Sequence, residues 1–286
     1  SWAAMFFRRA DVLSAETGRK VRAHSGEDRT TSAKCDLSCS QVSYLDTIHL
    51  LLNNQPKFEG SQVSFHFAHW QDITSDPYVL KCVKNCHLEL ESEASSYFNK
   101  PTTAQNFSLL EQQAIDTELR EFLSKRVIEY SHPEDGEIVS PIFILPKKEQ
   151  GKYRVIFNLK KLNESVIYRK FKMDTLEAAI KLLKPNCFMT PIDLRDAYYS
   201  IPIAPEYRKY LKFSWRGVLY QFTVLPMGLT SSPRIFTKVL KPFFATLRTR
   251  FGISCLGYID DSLYVESSYD LCQDATLAAT KLLITL

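Results

Sequence analysis

From Tyr44 onward the apolar positions fall into recognisable periods. Leu45, Ile48, His49 and Leu52 share one helical face, until Asn53-Asn54-Gln55-Pro56 breaks the pattern. Phe65 to Leu90 is mixed, with Trp70, Ile73, Tyr78, Val79, Leu80 and Val83 predicting a small docked element. Ser108 and Glu111 spell a capping box, in which each side chain satisfies the other's free backbone N–H. The helix behind it carries Leu110, Ala114, Leu119, Phe122 and Leu123 on its buried side to about Lys125, and its acidic face reads as solvated. Ile142-Phe143-Ile144-Leu145 predicts a short buried strand. A polar stretch from Lys147 to Lys152 then leads into a second strand, Tyr153 to Leu159, giving a hairpin with a cationic tip. Asp174 caps a further helix through Glu177, with Leu176, Ile180 and Leu183 facing in and Pro185-Asn186 ending it. Ile235, Phe236, Val239, Leu240, Phe243, Phe244 and Leu247 recur at helical spacing, with a kink predicted at Pro242. Residues 1–43, rich in Ser, Thr, Glu, Arg and Lys from residue 14 on, read as a flexible N-terminal arm.

The composition sharpens this picture. A chain of 286 residues that is 45% hydrophobic carries enough apolar material for one large or two smaller domains. Its net charge of +4 conceals an asymmetry: residues 1–60 carry +1, residues 61–140 carry −7 and residues 141–286 carry +10. The basic surplus points to a polyanion partner for the C-terminal half, against the plainer reading of a solvated surface. No apolar run approaches the ~18 residues of a membrane span, and the Trp2–Phe7 stretch is too short for a secretory signal. Seven cysteines, an odd count, suggest reduced thiols, so the expectation is an intracellular protein of cytoplasm or nucleus, not secreted. Cys35 and Cys39 share a C-x3-C spacing with Cys82 and Cys86, next to His87, but this is not a zinc-finger spacing.

Three stretches of the basic half look chemical: Phe188 to Leu194, a β-prone run reaching Asp193; Leu225-Pro226-Met227-Gly228 followed by Ser231-Ser232-Pro233; and Gly257 to Val265, containing Asp260-Asp261. Apolar residues flank the acidic pair, which therefore reads as the turn of a half-buried hairpin. Like charges there repel, and a divalent ion removes the conflict; oxygen-only ligands favour Mg²⁺. A solvent-facing acidic turn is the alternative. Asp193, from a neighbouring strand, would complete a two-metal site, or serve as a helix cap. Asp196, one helical turn on, ranks behind it as a cap or phosphate-side group. Gly228 frees the backbone of Cβ interference, Ser231 and Ser232 are N-cap candidates, and Pro233 suits the first turn of the helix.

Ile-Asp-Leu-Arg-Asp-Ala-Tyr around Asp193, Leu-Pro-Met-Gly-Leu-Thr-Ser-Ser-Pro, and Tyr-Ile-Asp-Asp resemble three successive motifs of reverse transcriptases, in the right order and with Asp260 67 positions after Asp193. Lys147 and the Tyr153–Asn163 stretch resemble the fingers hairpin of the same family, and the likeness covers about residues 105–286. Asn158–Glu164, Arg208–Phe213, Pro233–Pro242 and the upstream Trp70–Pro77 are most similar to retrotransposons of the DIRS type, which mobilise with a tyrosine recombinase. Gypsy-like and retroviral polymerases fit these segments less well.

The resemblance implies an α+β right-hand polymerase with an antiparallel palm sheet and flanking helices. After the arm would come an N-terminal extension, residues 44–100, then a core over 101–286: fingers at about 105–167 and 201–231, palm at about 168–200 and 232–286, thumb absent. The implied activity is RNA-directed DNA polymerisation, dNTP added to a primer 3′-OH by two Mg²⁺ ions, with Mn²⁺ a substitute. The implied partners are dNTPs and a primed RNA or DNA template; no membrane is involved and the oligomeric state stays open. Asp193, Asp260 and Asp261 would be catalytic and hold the metals together with the Leu194 carbonyl. Lys147, Arg154, Tyr198, Met227 and Gly228 would bind the dNTP, Tyr198 by excluding a 2′-hydroxyl. Tyr258, Ser231, Ser232 and Lys160 would meet template or primer. Met227 stands where many retroviral relatives have Gln, which removes a hydrogen bond near the nucleotide. The chain stops 25 residues after Asp261, so thumb, RNase H or recombinase domains would lie beyond it and the polypeptide as given would be weakly active or inactive. Two other readings stand: a catalytically inactive nucleic-acid-binding relic or domesticated fragment, and an unrelated nucleotidyl-transfer or cyclase enzyme with a palm-like sheet.

Overall fold

The computed structural model describes residues 13–14, 44–91, 106–149 and 151–286. Most of the expected arm, with Cys35 and Cys39, and residues 92–105 lie outside the described residues. In chain order the elements are β1 (Leu13–Ser14), α1 (Tyr44–Asn53), α2 (Gln62–Phe65), α3 (Phe67–Ile73), α4 (Pro77–Asn85), α5 (Leu109–Ser124), β2 (Ile128–Tyr130), β3 (Val139–Ser140), β4 (Ile142–Pro146) and β5 (Tyr153–Phe157). They continue with α6 (Lys160–Ser165), α7 (Leu176–Leu182), β6 (Phe188–Asp193), α8 (Pro205–Arg208), β7 (Lys212–Trp215), β8 (Val218–Phe222), α9 (Ser232–Arg250), β9 (Cys255–Tyr258), β10 (Asp261–Glu266) and α10 (Tyr269–Thr285). The class is α+β. One antiparallel sheet runs β1-β6-β10-β9; a second runs β2-β8-β7-β3; β4 and β5 form a separate hairpin.

α5 begins as its sequence requires. Ser108 Oγ accepts from the Glu111 N–H at 3.4 Å, and the Ser108 N–H donates to the Glu111 carboxylate at 2.8 Å. Ile115, Leu119 and Phe122 are its buried stripe, while Leu110 is exposed, so the buried face starts a turn later than expected. α9 passes through Pro242 as one assigned helix and buries Ile235, Phe236, Val239, Leu240, Phe243, Phe244 and Leu247. It lies against β9, where Gly257 has room for no side chain: a Cβ there would collide with the Phe244 ring.

The same core takes in residues before α5. Trp70, Val79, Cys82 and Val83 are buried among α9 and α10 residues. The Trp70 indole donates to the Leu286 carbonyl at 2.9 Å. Glu89 accepts from Arg169 at 2.8 Å and from Arg234 at 2.7 Å, joining three distant stretches of chain. In the second sheet Lys212 is fully buried, its ammonium held by Glu134 at 2.6 Å, Glu137 at 2.8 Å and the His132 carbonyl at 2.8 Å. Buried charge is tolerable only when so fully partnered.

Three expectations need correction. Ile142 is buried, but Phe143 and Leu145 are exposed, because the β4–β5 hairpin pairs only with itself. Leu176 and Ile180 are 78% and 57% exposed and Leu183 is exposed too: the stripe makes α7 a helix, but nothing among the described residues covers it. Asp174 does not cap α7. Thr175 does, accepting from the Ala178 N–H, while the Asp174 carboxylate accepts from the Gly257 N–H at 3.2 Å. Among the described residues no helix is long and apolar enough to cross a membrane.

Gly257→Ala is expected to cost about 1–3 kcal/mol by forcing Phe244 aside, read as a lower urea midpoint in circular dichroism. Lys212→Met should cost roughly 1–3 kcal/mol by stranding two carboxylates that still reach water in part. The Lys212 ammonium holds the Glu134 carboxyl below its ordinary 4.5. That stability is present above the unfolded value and lost as pH falls through the folded one. Acid titrations of stability below about pH 4.5 should therefore be steeper in the wild type than in the Lys212→Met protein.

Candidate active site

The register of β6 against β10 sets the site. Asp193 lies directly opposite Asp261, and Ile192 opposite Ser262. Opposed residues of an antiparallel pair hold their Cβ atoms about 4.5–5.5 Å apart on one face of the sheet. One step further the Leu194 N–H donates to the Asp260 carbonyl at 2.9 Å, drawing the third aspartate to the end of β6. Asp260 sits in a two-residue turn, Ile259-Asp260, between the register partners Tyr258 and Asp261. Such turns want left-handed residues, usually Gly or Asn. Here Ile259 takes φ 57°, strained for a β-branched residue by about 1–2 kcal/mol. The turn is held from beneath: Ser262 Oγ donates to the Ile192 carbonyl at 3.3 Å and lies 3.3 Å from the hydroxyl of fully buried Tyr264.

Asp193 and Asp260 open into a cleft of about 600 Å³, which Lys147, Arg154, Met227 and Gly228 also line. Lys147 and Arg154 come from the exposed end of the β4–β5 hairpin, which the Lys147 N–H closes on the Lys152 carbonyl at 2.8 Å. Gly228 holds φ 87°, open only to glycine without strain, and the Asn163 amide clamps its turn, donating to the Gly228 carbonyl at 2.9 Å and accepting from the Thr230 N–H at 2.8 Å. Met227 is exposed beside it. Tyr198 follows β6 in a 3-10 turn, Ala197–Ser200, its ring edge-on to Phe236 at 5.3 Å. Burial, then the charges of Asp260 and Tyr258, push its hydroxyl up to about 12. Seven residues expected at the nucleotide and metal, Leu194 among them, thus line one cleft, with Tyr198 and Asp261 adjoining.

Other expected residues lie elsewhere. Ser231 and Ser232 are buried, Ser232 donating to the Pro226 carbonyl at 2.8 Å. Ser232 thereby ties the start of α9 to the preceding turn, while the buried Ser231 hydroxyl has no hydrogen-bond partner among the described residues. Neither caps α9 through a side-chain hydrogen bond to its first turn. Lys160 and Tyr258 are exposed, as contacts to nucleic acid would require. The Asp196 carboxylate is taken by Lys125 at 2.9 Å. Lys125, Glu118, Glu121 and Arg195 also line the cleft and escaped the sequence reading, which took the acidic face of α5 as solvated. Cys82 and Cys86 are free, buried thiols 3.8 Å apart.

The donor set at the aspartates is oxygen only, which suits a hard divalent ion. Among the described residues no three His, Cys, Asp or Glu side chains form a ready cage. Mg²⁺ rarely needs one, because it binds through one or two carboxylates and completes its shell with water and substrate phosphates. The residues fit that mode.

Residues 145–283 match the family described as reverse transcriptase (RNA-dependent DNA polymerase), just under half of the chain. The Gag-Pro-Pol polyprotein of sheep pulmonary adenomatosis virus is 30% identical over 186 residues, 61% of this chain but only 10% of that polyprotein. Among solved structures, the prototype foamy virus protease-reverse transcriptase (a CSH mutant) superposes with a TM-score of 0.58 at 17% identity, covering 69% of this chain and 25% of that one. The foamy viral protease-reverse transcriptase in complex with dsDNA superposes at 0.51 and 19%, covering 69% and 40%. At these identities the structures speak for the fold, and the sequence match speaks for the family. Residues 145–283 therefore match a reverse transcriptase domain and are similar in sequence to part of a retroviral Gag-Pro-Pol polyprotein, in an α+β fold like that of the foamy virus protein.

Proposed function

We propose that this chain forms the fingers and palm of an RNA-directed DNA polymerase that extends a primer by in-line nucleotidyl transfer. One observation carries the reading: Asp193 at the end of β6 and Asp260 in the β9–β10 turn share a cleft with Lys147 and Arg154 from a separate hairpin. Carboxylates facing cations across a cleft suit a metal-bound triphosphate, with acids at the reacting end and bases at the leaving end. Two Mg²⁺ ions, when bound, would activate the primer 3′-hydroxyl and offset charge on the leaving pyrophosphate.

The chain's own groups do the rest. Asp193 and Asp260 would hold the ions, with the Leu194 carbonyl beside them and Asp261 directly opposite Asp193. Lys147 and Arg154 would grip the triphosphate, Arg154 with a bidentate fork. The ring of Tyr198 would stand against a 2′-hydroxyl, and its high pKa keeps its own hydroxyl protonated at neutral pH. Gly228 and Met227 would border the nucleotide, Lys160 and Tyr258 the template and primer. Asn158–Glu164, Arg208–Phe213 and Pro233–Pro242 favour a DIRS-type element as the source. The curated relative is ten times longer than the matched stretch, so activity of the whole polyprotein extends the proposal further.

The test is dNTP incorporation on a primed RNA with Mg²⁺. Asp193→Asn and Asp260→Asn should each lower it by at least about a hundredfold, while circular dichroism stays that of the wild type. Mg²⁺-dependent incorporation abolished by Asp260→Asn would rule out a binding relic, and incorporation that survives both substitutions would overturn this reading of the aspartates. Met227→Gln should lower the KM for dNTP by about two- to tenfold through a regained hydrogen bond, measured in the same assay, with kcat nearly unchanged.

A further inference from the structure

The cleft wall built by α5 and by the turn after β6 is acidic, an awkward lining for a site that is to admit a polyphosphate. Glu118, Glu121 and Asp196 all belong to it. Burial and the neighbouring Glu121 charge push the Glu118 carboxyl up, against the pull of Lys147 and Lys125. One ammonium reconciles most of this charge. Lys125 Nζ lies 2.6 Å from the Glu121 carboxylate and 2.9 Å from that of Asp196. Burial alone would lower the Lys125 pKa, but these two partners outweigh it and the net shift is upward. Arg195 is a more distant neighbour of the same pair, at 3.9 Å from Glu121 and 3.7 Å from Asp196.

The bridge also has a mechanical side. Asp196 stands three residues after Asp193, in the left-handed conformation at φ 56°, and heads the 3-10 turn that carries Tyr198. Its carbonyl accepts from the Tyr199 N–H at 2.9 Å, and the Tyr199 ring meets Phe122 of α5 edge-on at 5.3 Å. An ammonium and a ring therefore clip this turn to α5.

We propose that Lys125 is a positioning residue for the incoming nucleotide: by neutralising Glu121 and Asp196 and clipping the turn after Asp193 to α5, it keeps the acidic wall from repelling the triphosphate. This rests on the polymerase reading and adds to it a residue outside the motifs that carry the resemblance. Without Lys125 the two carboxylates face the cleft, and the remaining cation within 4.0 Å of them among the described residues is Arg195. The loss then falls on nucleotide binding more than on chemistry, and salt screens it.

The test combines steady-state incorporation of dTTP on an oligo(dT)-primed poly(rA) template with equilibrium binding of labelled dTTP. Lys125→Met should raise KM and weaken binding by about tenfold with kcat within about threefold, and the deficit should shrink as KCl is raised. Lys125→Arg should restore wild-type binding. Adding Asp196→Asn to Lys125→Met should recover much of it, because the excess negative charge goes although the Lys125 clip stays broken. A bridge that mattered only to folding would predict the reverse, a double variant no better than Lys125→Met and a deficit indifferent to salt; that result, or an unchanged KM in Lys125→Met, overturns the proposal. If the wild-type protein neither binds nor incorporates dTTP, the polymerase reading falls and takes this one with it. An active wild type matched by Lys125→Met removes this inference alone.

Discussion

The pairing of β6 with β10 is the constraint on which the site depends. Side chains alternate along a strand, so a slip of one residue exchanges the two faces of the sheet. Thr190 and Ile192 on β6 and their partners Tyr264 and Ser262 on β10 are all buried, three of the four completely. Their burial fixes the register, and the same register sets Asp193 opposite Asp261 on the other face. A one-residue slip would drive an aspartate into the apolar layer and turn a core residue out. The hydrophobic effect thus holds two like charges side by side, which no local preference would arrange. Thr190, 3.3 Å from the Cys272 sulfur on α10, shows how tightly the buried face is fitted.

Local rules are broken in and beside the aspartate hairpin. A β-branched residue takes a left-handed turn at Ile259, and a strand forgoes its side chain at Gly257 so that Phe244 can approach. Surrounding order sustains these exceptions: the Asp174 carboxylate holds the Gly257 N–H, and Ser262 ties the turn to β6. Strain confined to a few residues within a consistent frame is what a functional site is expected to show.

What was legible in the sequence was local or strongly patterned. The capping box of α5 needs only four residues, and its hydrogen bonds are present. The β4–β5 hairpin with its cationic tip and the aspartate hairpin follow from short apolar runs around turn residues. What failed depended on partners that periodicity does not name. The Leu176, Ile180 and Leu183 stripe gives a helix but not a cover for it. Asp174 and Thr175 are adjacent cap candidates, and the choice between them was made by a distant strand N–H that needed an acceptor. Ser231 and Ser232 read as N-cap candidates and as template or primer contacts, and both are buried without a side-chain cap to α9. The acidic side of α5 meets the cleft only because β6 ends against it, so Lys125 and Glu121 carried no signal of their own.

The indole of Trp70 and the carbonyl of Leu286 are 216 residues apart along the chain. During synthesis at ordinary rates that interval lasts roughly ten to forty seconds. Throughout it α3 lacks the partner that caps its largest ring, and the early helices leave the ribosome with an uncovered apolar face. Contacts of such sequence separation slow folding and prolong exposure to aggregation. The apolar face of the early helices therefore stays open to solvent until α10 has emerged.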